Sequence, residues 1–283
     1  MKIVIIGAKG MLGQELAKTF AGSNPILWDR ENVDIANEKN VQKMIGETRP
    51  DLVINAAAFN DVDGAEKNRQ IANDINGYAI GYLARAITAV QGILVHYSTD
   101  YVFKGDVKNG YNEEDKPNPQ SVYASSKFLG EIELQNNCHN FYLIRLSRLF
   151  GQPAGSQTGK KSFVQLMLDL AKANKEINVV NEELSRPTYA PDLAAQTKFI
   201  FDSKKPFGIY HVTNASACTW FDFAREIFAQ KSISAKINPV TADFYPRPVK
   251  RPKYSILLNN KLPALRSWQE ALADYLKNAN EIQ

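Results

Sequence analysis

Residues 3–13 read Ile3-Val4-Ile5-Ile6-Gly7-Ala8-Lys9-Gly10-Met11-Leu12-Gly13, and this stretch decides the fold of the 283-residue chain. The apolar run is typical of a buried strand, and the glycines lead directly into a helical pattern. In this context Gly7 permits a tight turn, Gly10 lets the backbone approach a pyrophosphate, and Gly13 allows close packing of helix on strand. The helix N-terminus adds amides that favour an anion. We therefore predict a dinucleotide-binding turn formed by Gly7, Gly10, Met11, Leu12 and Gly13.

The first half of the chain alternates short apolar runs with helical patterns, which is typical of βαβ units and a parallel sheet. The runs that predict buried strands are Lys2 to Ile6, Pro25 to Trp28, Leu52 to Asn55, Ile93 to Ser98 and Tyr142 to Leu146. The segments that predict helices are Met11 to Phe20, Glu38 to Glu47, Gln70 to Val90 and Ser125 to Gln135. We expect an α/β fold with a Rossmann-like, doubly wound parallel sheet, and an NAD(P)-binding domain over residues 1–150.

After Gly151 the alternation weakens, which indicates a smaller C-terminal α/β lobe over residues 151–283 that binds the substrate. Its predicted helices are Ser162 to Ala173, Pro191 to Asp202, Thr219 to Gln230 and Ser267 to Asn278. Two short runs, Ile177 to Val180 and Gly208 to Val212, can return to the main sheet, so the boundary near residue 150 is soft.

Composition excludes several classes of protein. Cys138 and Cys218 lie far apart without metal-ligand spacing, so we expect buried thiols in a reducing compartment. The apolar run at the start is too short for a signal peptide, and no run approaches the roughly 20 residues of a membrane helix, so we expect a soluble cytoplasmic protein with no membrane partner. The net charge is +4, and its densest basic cluster, Arg247 to Lys253, lacks a nucleic-acid recognition motif. We interpret this cluster as a loop facing an anionic small ligand, not nucleic acid.

Further cofactor contacts are predicted at the ends of the second and third strands. Asp29 stands where such folds place an acid for the adenosine ribose, and Arg30 beside it can hold a 2′-phosphate, so NADH and NADPH both remain open. Asp34 and Ile35 can lie against the adenine, with Asp34 as a helix N-cap the alternative. The small side chains Ala56, Ala57 and Ala58 leave room for a ligand against the backbone.

Three residues form the predicted catalytic group. Thr99 ends the fourth strand at the sheet edge where open α/β folds place their chemistry. Tyr123 and Lys127 follow one helical turn apart and project from the same face. A lysine ammonium and an oxidised nicotinamide both favour the phenolate, which lowers the tyrosine pKa from about 10. Tyr123 can then protonate a developing alkoxide while Thr99 hydrogen-bonds the same oxygen, as a reductase requires. Lys127 also holds the cofactor ribose.

These motifs together resemble the dTDP-4-dehydrorhamnose reductases, which are extended short-chain dehydrogenase/reductases. The resemblance covers nearly the whole chain and rests on Gly7 to Gly13, Asn55 to Ala58, Val62-Asp63 with Ala65-Glu66, Tyr97 to Phe103, Tyr123 with Lys127, Arg186-Pro187-Thr188 with Asp192-Leu193-Ala194, and Arg251-Pro252 with Ser255. It implies NAD(P)H-dependent reduction of the 4-keto group of dTDP-4-dehydro-L-rhamnose to dTDP-L-rhamnose. It also implies that Asp100 and Tyr101 face the sugar and that Arg251 and its basic neighbours meet the diphosphate.

The chain departs from the family pattern at three points. Arg148 stands where the family usually has a substrate-packing tryptophan, so Arg148 either contacts the nucleotide or marks a different substrate. Phe59-Asn60 replaces the usual His or Tyr followed by Thr. Some relatives dimerise around magnesium, but only Glu15 matches their acidic residues, so we predict no metal and leave monomer and homodimer open.

Alternative interpretations remain. One is a 4-ketoreductase or epimerase for another nucleotide deoxysugar, and another is a non-catalytic subunit resembling the regulatory chain of methionine adenosyltransferase. Retention of Thr99, Tyr123 and Lys127 favours an enzyme. His96, His139 and His211 fall on separate elements and are interpreted as structural. The aromatic residues with helical spacing are interpreted as core: Trp220, Phe221, Phe223 and Phe228.

Overall fold

The computed structural model describes residues 1–154, 162–173 and 175–280. The strands are β1 Ile3–Ile6, β2 Ile26–Trp28, β3 Leu52–Asn55, β4 Ile93–Thr99, β5 Phe141–Leu146, β6 Leu149–Phe150, β7 Glu176–Val180, β8 Thr188–Tyr189, β9 Gly208–His211 and β10 Lys236–Val240. The helices are α1 Met11–Thr19, α2 Glu38–Thr48, α3 Val62–Lys67, α4 Arg69–Asn73, α5 Ala79–Ala89, α6 Val122–Asn137, α7 Phe163–Ala173, α8 Ala190–Asp202, α9 Trp220–Gln230 and α10 Trp268–Asn280.

A six-stranded parallel sheet forms the centre of the molecule, with the order β2-β1-β3-β4-β5-β9. Strand β1 shows why its sequence is apolar throughout. Val4 and Ile6 pack with α2 and α5 on one face, whereas Ile3 and Ile5 pack with α1 and α8 on the other. Because helices cover both faces, both sets of side chains are buried. The predicted α/β fold with a doubly wound parallel sheet is confirmed, as are the five predicted strands of its first half.

The crossover after β3 differs from the single predicted helix. Residues 62–67 form α3, which the sequence analysis did not predict, and α4 follows after one residue. A π-helical turn, Asp74–Tyr78, then joins α4 to α5 without a break. These short helices pack against α6, and the packed residues include Ala65, Ala72, Val122 and Tyr123. The segment therefore forms one wall around Tyr123, in the first turn of α6.

The two runs that could return to the sheet behave differently. Strand β9 pairs with β5 and completes the main sheet, and α8 packs with α1 on one of its faces. Strand β7 instead pairs with β10 in a separate two-stranded parallel sheet. Strand β10 was not predicted, because Pro239 lies inside it and proline is depleted in strands.

A second hydrophobic core lies under these C-terminal elements. It is built from α7, β7, α9 and α10, and its buried members include Phe150, Met167, Phe223, Leu272 and Tyr275. Isolated bridges tie the C-terminal segment to other loops, one between Tyr111 and Leu257 and one between Leu184 and Tyr254. No helix in the described part of the chain is long and apolar enough to cross a membrane. Both cysteines are free buried thiols, as expected.

Candidate functional site

The glycine turn between β1 and α1 forms a cradle of bare backbone. Gly7 has φ +76°, and a Cβ there would lie 2.8 Å from the Ala57 nitrogen. A Cβ on Gly13 would lie 2.1 Å from the Gly7 carbonyl oxygen, so glycine is required at both positions. Met11 begins α1, which has no side-chain cap at its N-terminus. The residues present therefore fit the pyrophosphate of a dinucleotide, held by backbone amides at a helix N-terminus.

The end of β2 lies beside this turn. The Asp29 carboxylate accepts hydrogen bonds from the Lys9 amide at 3.0 Å and from the Arg30 amide at 2.9 Å. Arg30 is exposed, whereas Asp29 is half-buried. The structure thus places the predicted acid against the glycine turn and leaves the predicted phosphate ligand at the surface.

Asp34 is not the N-cap of α2, so that alternative is wrong. Asn37 is the cap, and its side chain accepts from the Asn40 amide at 3.1 Å. The Asp34 side chain instead accepts from the Ala36 amide at 3.1 Å and remains exposed, while Ile35 is buried. Across the sheet, Ala56, Ala57 and Ala58 are half-buried after β3, and the Asn55 side chain fixes their backbone by accepting from the Ala57 amide at 3.1 Å.

Thr99, Tyr123 and Lys127 come together at the carboxyl end of β4, and all three are buried. Lys127 Nζ donates to the carbonyl of Tyr97 at 2.6 Å, which attaches α6 to β4. Burial lowers the pKa of Lys127 to about 8, and the nearby Glu131 carboxylate opposes that shift. The ammonium is therefore held on the strand that ends at Thr99.

The pKa of Tyr123 differs from the sequence-based expectation. Burial raises it to about 12, a hydrogen bond with Thr99 acts in the opposite direction, and the Asp100 charge raises it further. The expected lowering by Lys127 is not seen, because the ammonium is directed at the Tyr97 carbonyl. Tyr123 is consequently a phenol at neutral pH, which is the protonation state of a proton donor.

Asp100 is a buried carboxylate surrounded by hydroxyl groups. Thr99 Oγ1 donates to one oxygen at 3.1 Å and Ser185 Oγ to the other at 3.3 Å. Burial raises the pKa of Asp100 to about 6, against the effects of Ser255 and Arg148, which lower it. Tyr101 meets Tyr123 edge to face, with ring centroids 6.0 Å apart. A carboxyl group and two phenols thus meet at this end of the sheet.

A cleft of about 860 Å³ opens beside Tyr101. Its walls come from α3 and α4, from the start of α6, and from residues 103–106 and 248–253. Five of its side chains are basic and two are acidic: Arg69, Lys104, Lys250, Arg251 and Lys253, with Glu66 and Asp106. The excess of positive charge suits an anionic ligand bound beside Tyr101.

Comparison with known proteins places the chain in a family. Residues 1–281 match the family model described as RmlD substrate binding domain. The chain belongs to this family. Its sequence is 36% identical to the spore coat polysaccharide biosynthesis protein SpsK of Bacillus subtilis, over 98% of this chain and 97% of that protein.

Solved structures of the family superimpose closely on this chain. A dTDP-4-dehydrorhamnose reductase from Clostridium acetobutylicum has a TM-score of 0.93 at 37% identity, covering 99% of this chain and 100% of its own. The dTDP-4-dehydrorhamnose reductase of Bacillus anthracis, in complex with NADP, has a TM-score of 0.92 at 34% identity, covering 98% and 100%. The resemblance inferred from the sequence motifs is confirmed.

Arg148 stands where the family resemblance implied a tryptophan, and its side chain is held by other residues of the protein. The two terminal nitrogens donate to the carbonyls of Cys218 at 2.9 Å and Glu183 at 2.6 Å. The guanidinium lies 4.0 Å from the ring centroid of Trp220. Trp220 and Phe221 are half-buried and pack against the edge of the core, whereas Phe223 and Phe228 are core residues as expected. Arg148 therefore braces the site wall beside Asp100.

Arg251 also has a partner that the sequence analysis did not predict. Its guanidinium binds both carboxylate oxygens of Asp63, at 3.0 and 2.6 Å. On the same helix, Glu66 accepts from the Val122 amide at 2.9 Å, immediately before Tyr123. Both acids belong to α3, and their spacing of three residues, which places them on one side of a helix, is the signal that could have indicated these roles.

Among the described residues, no group of three His, Cys, Asp or Glu side chains could hold a metal ion. Glu15, the one residue that matched the acidic set of some relatives, is buried and forms an ion pair with Lys18 at 2.8 Å. His96 and His211 are fully buried, and burial lowers the pKa of both. These two histidines are neutral structural residues.

Proposed function

We propose that this chain reduces the 4-keto group of dTDP-4-dehydro-L-rhamnose to give dTDP-L-rhamnose, with NADPH or NADH as reductant. The observation that carries the proposal is the convergence of Thr99, Tyr123 and Lys127 at the sheet edge. The glycine cradle and the basic cleft offer places for the cofactor and for an anionic substrate. The sequence is also similar to proteins named dTDP-4-dehydrorhamnose reductase.

The residues of the site have distinct chemical roles in this proposal. The Thr99 hydroxyl would turn its proton from Asp100 to the ketone oxygen, and Tyr123, a phenol at neutral pH, gives that oxygen its proton as the alkoxide develops. Lys127, whose ammonium donates to the Tyr97 carbonyl, would turn from it to hold the ribose and to stabilise the Tyr123 phenolate as the proton leaves. The nicotinamide, when bound, supplies the hydride. Residues 1–150 provide the cofactor side and much of the substrate cleft, and residues 248–253 of the C-terminal lobe complete that cleft.

The cofactor is held by backbone and small side chains from the first three strands. The proposed contacts are Gly7, Gly10, Met11, Leu12, Gly13, Asp29, Arg30, Asp34, Ile35, Ala56, Ala57 and Ala58, together with Tyr123 and Lys127. Asp100 and Tyr101 face the sugar, and the cleft beside Tyr101 takes the nucleotide diphosphate. Arg251 lines this cleft while Asp63 fixes its orientation, so a phosphate would meet a preoriented guanidinium.

The test follows NADPH and NADH oxidation with enzymatically prepared dTDP-4-dehydro-L-rhamnose, for the wild type and for Tyr123→Phe. Turnover by the wild type and a loss of roughly 10²-fold or more in the variant are expected, the scale of removing a positioned proton donor. Absence of turnover by the wild type would refute the proposed reaction. Near-normal activity of Tyr123→Phe would refute the role of Tyr123.

A second candidate is a 4-ketoreductase for another dTDP-deoxysugar, and the Arg148 brace favours it. With Arg148 held against Trp220, the surface beside the sugar differs from the surface that a tryptophan at position 148 would provide. Parallel assays with other dTDP-4-keto-6-deoxysugars decide between the two. Higher kcat/KM for one of these than for dTDP-4-dehydro-L-rhamnose would establish the second candidate.

A further inference from the structure

A fully buried ion pair lies behind the catalytic lysine. Arg145 on β5 donates to both carboxylate oxygens of Glu131 on α6, from Nε at 3.0 Å and from a terminal nitrogen at 2.7 Å. The two side chains are 2% and 0% exposed. A buried pair of this kind is often no more stabilising than apolar residues of the same volume, so fold stability alone does not account for it.

The position of Glu131 on α6 connects the pair to catalysis. Tyr123, Lys127 and Glu131 are spaced by four residues and lie along one side of the helix. Lys127 reaches the Tyr97 carbonyl on β4, and Glu131 reaches Arg145 on the neighbouring strand β5. The helix is therefore joined to two adjacent strands by two charged side chains one turn apart.

Arg145 is held on every side, which fixes the carboxylate it binds. Its third nitrogen lies 3.4 Å from Nε2 of His211, and Nδ1 of the same ring lies 2.9 Å from the Leu258 carbonyl. A carbonyl only accepts, so Nδ1 carries the proton and Nε2 accepts from Arg145. The guanidinium also lies 5.0 Å from the ring centroid of Phe103. Glu131 thus cannot turn away from its position beside Lys127.

The charges around Lys127 come from each element packed on it. On α6 they are Tyr123 and Glu131, and on β5 Arg145 lies behind Glu131. On β4 they are His96, which is neutral, and Tyr97, whose backbone carbonyl accepts from Lys127. Asp100 follows at the end of this strand. Among the described residues, Glu131 is the carboxylate whose charge acts on Lys127, and it opposes the effect of burial.

We propose that Glu131, clamped by Arg145, is a positioning residue that keeps the Lys127 ammonium charged inside the protein. Without the carboxylate, burial and the Arg145 guanidinium would both favour the neutral amine. This inference rests on the proposed function, in which a charged Lys127 holds the ribose and stabilises the Tyr123 phenolate.

The test is the pH dependence of Glu131→Gln, with Glu133→Gln as the matched control. Glu133 lies on the same helix but is only half-buried, and it bonds to the Asn137 side chain. We expect the alkaline limb of kcat/KM to move to lower pH by about one unit in Glu131→Gln, because Lys127 loses its proton earlier. Glu133→Gln should keep the wild-type limb. A folded Glu131→Gln variant with an unmoved limb would overturn the inference.

A double variant and a measurement of NADPH binding test the same role of Glu131. If Glu131→Gln does not fold, the double variant Glu131→Gln/Arg145→Met removes the unpaired guanidinium, and its limb should move in the same direction by less. An unmoved limb in a folded double variant would equally overturn the inference. NADPH binding, followed by nicotinamide fluorescence against pH, needs no sugar. The pH at which NADPH binding weakens therefore still reports on Lys127 even if the proposed sugar is not reduced. If this pH is the same in Glu131→Gln as in the wild type, the inference is refuted independently of the reaction.

Discussion

The guanidinium of Arg148 lies 4.0 Å from the ring centroid of Trp220, and its two terminal nitrogens donate to the carbonyls of Glu183 and Cys218. Arg148 adopts a left-handed backbone conformation, with φ +43°. The indole nitrogen of Trp220 in turn donates to the Glu183 side chain at 2.9 Å. Arginine and tryptophan thus form one unit that supports the wall of the site, at the position where relatives were expected to carry a single tryptophan.

This unit predicts energetic coupling between the two side chains. Arg148→Met and Trp220→Leu should each lower the free energy of unfolding by about 1–3 kcal/mol, since each removes a partly desolvated stack or hydrogen bonds. The double variant should lose about 1 kcal/mol less than the sum, as measured by urea denaturation. The control is exposed Arg225 over half-buried Phe221, with guanidinium and ring centroid 6.0 Å apart, and the losses of this pair should add. Additivity at Arg148 and Trp220 within about 0.5 kcal/mol would contradict the coupling.

The glycine cradle predicts that Gly13→Ala abolishes measurable NADPH binding, because its Cβ would lie 2.1 Å from the Gly7 carbonyl and displace the turn. Gly46→Ala is the matched control, since nothing lies within 4 Å of a Cβ at that helical position. It should bind NADPH normally and gain about 0.5–1 kcal/mol of stability from helix propensity. Fluorescence titration measures the binding. Wild-type affinity in Gly13→Ala would show that the cradle is not the pyrophosphate site.

Arg30 predicts the cofactor preference. Its side chain is exposed beside Asp29, where a 2′-phosphate would meet it. Arg30→Ala should weaken NADPH binding roughly tenfold, the value of one charged hydrogen bond, and leave NADH binding nearly unchanged. Titrations with both cofactors provide the comparison, and Arg225→Ala, an exposed arginine on α9, serves as the control. Equal effects on the two cofactors would assign recognition to Asp29 and the ribose instead.

Asp100 predicts an unusual dependence of stability on pH. Its pKa is about 6 in the folded protein, above the ordinary aspartate pKa of 3.8, so the folded state binds the proton more tightly between these limits. Stability therefore falls as the pH rises through this window, by up to about 3 kcal/mol. Asp100→Asn cannot titrate, so the advantage of the wild type over the variant should be larger at pH 4 than at pH 7. Urea denaturation at both values tests this, and an equal difference at both would contradict the buried carboxylate.

Much of the fold was predictable because its signals are local. A strand covered on both faces must be apolar at successive positions, as β1 is, and a tight turn with close backbone approach requires glycine at positions 7 and 13. The strands of the first half fall within one residue of their predicted limits at each end. The π-helical turn and β10 were not predicted, since the first depends on packing against α6 and the second on pairing with β7.

The sequence by itself determined the parallel α/β architecture and the glycine turn, and it indicated Tyr123, Lys127 and Thr99 as candidates, because each depends on residue type and short spacing. Only the tertiary structure decided which charges meet. Asp63 with Arg251 and Glu131 with Arg145 are separated by 188 and 14 residues, respectively, and Arg148 finds Trp220 on a distant helix. Such pairs depend on burial and on the approach of distant segments. Burial also raises the pKa of Tyr123, and the approach of α6 to β4 brings Lys127 to the Tyr97 carbonyl.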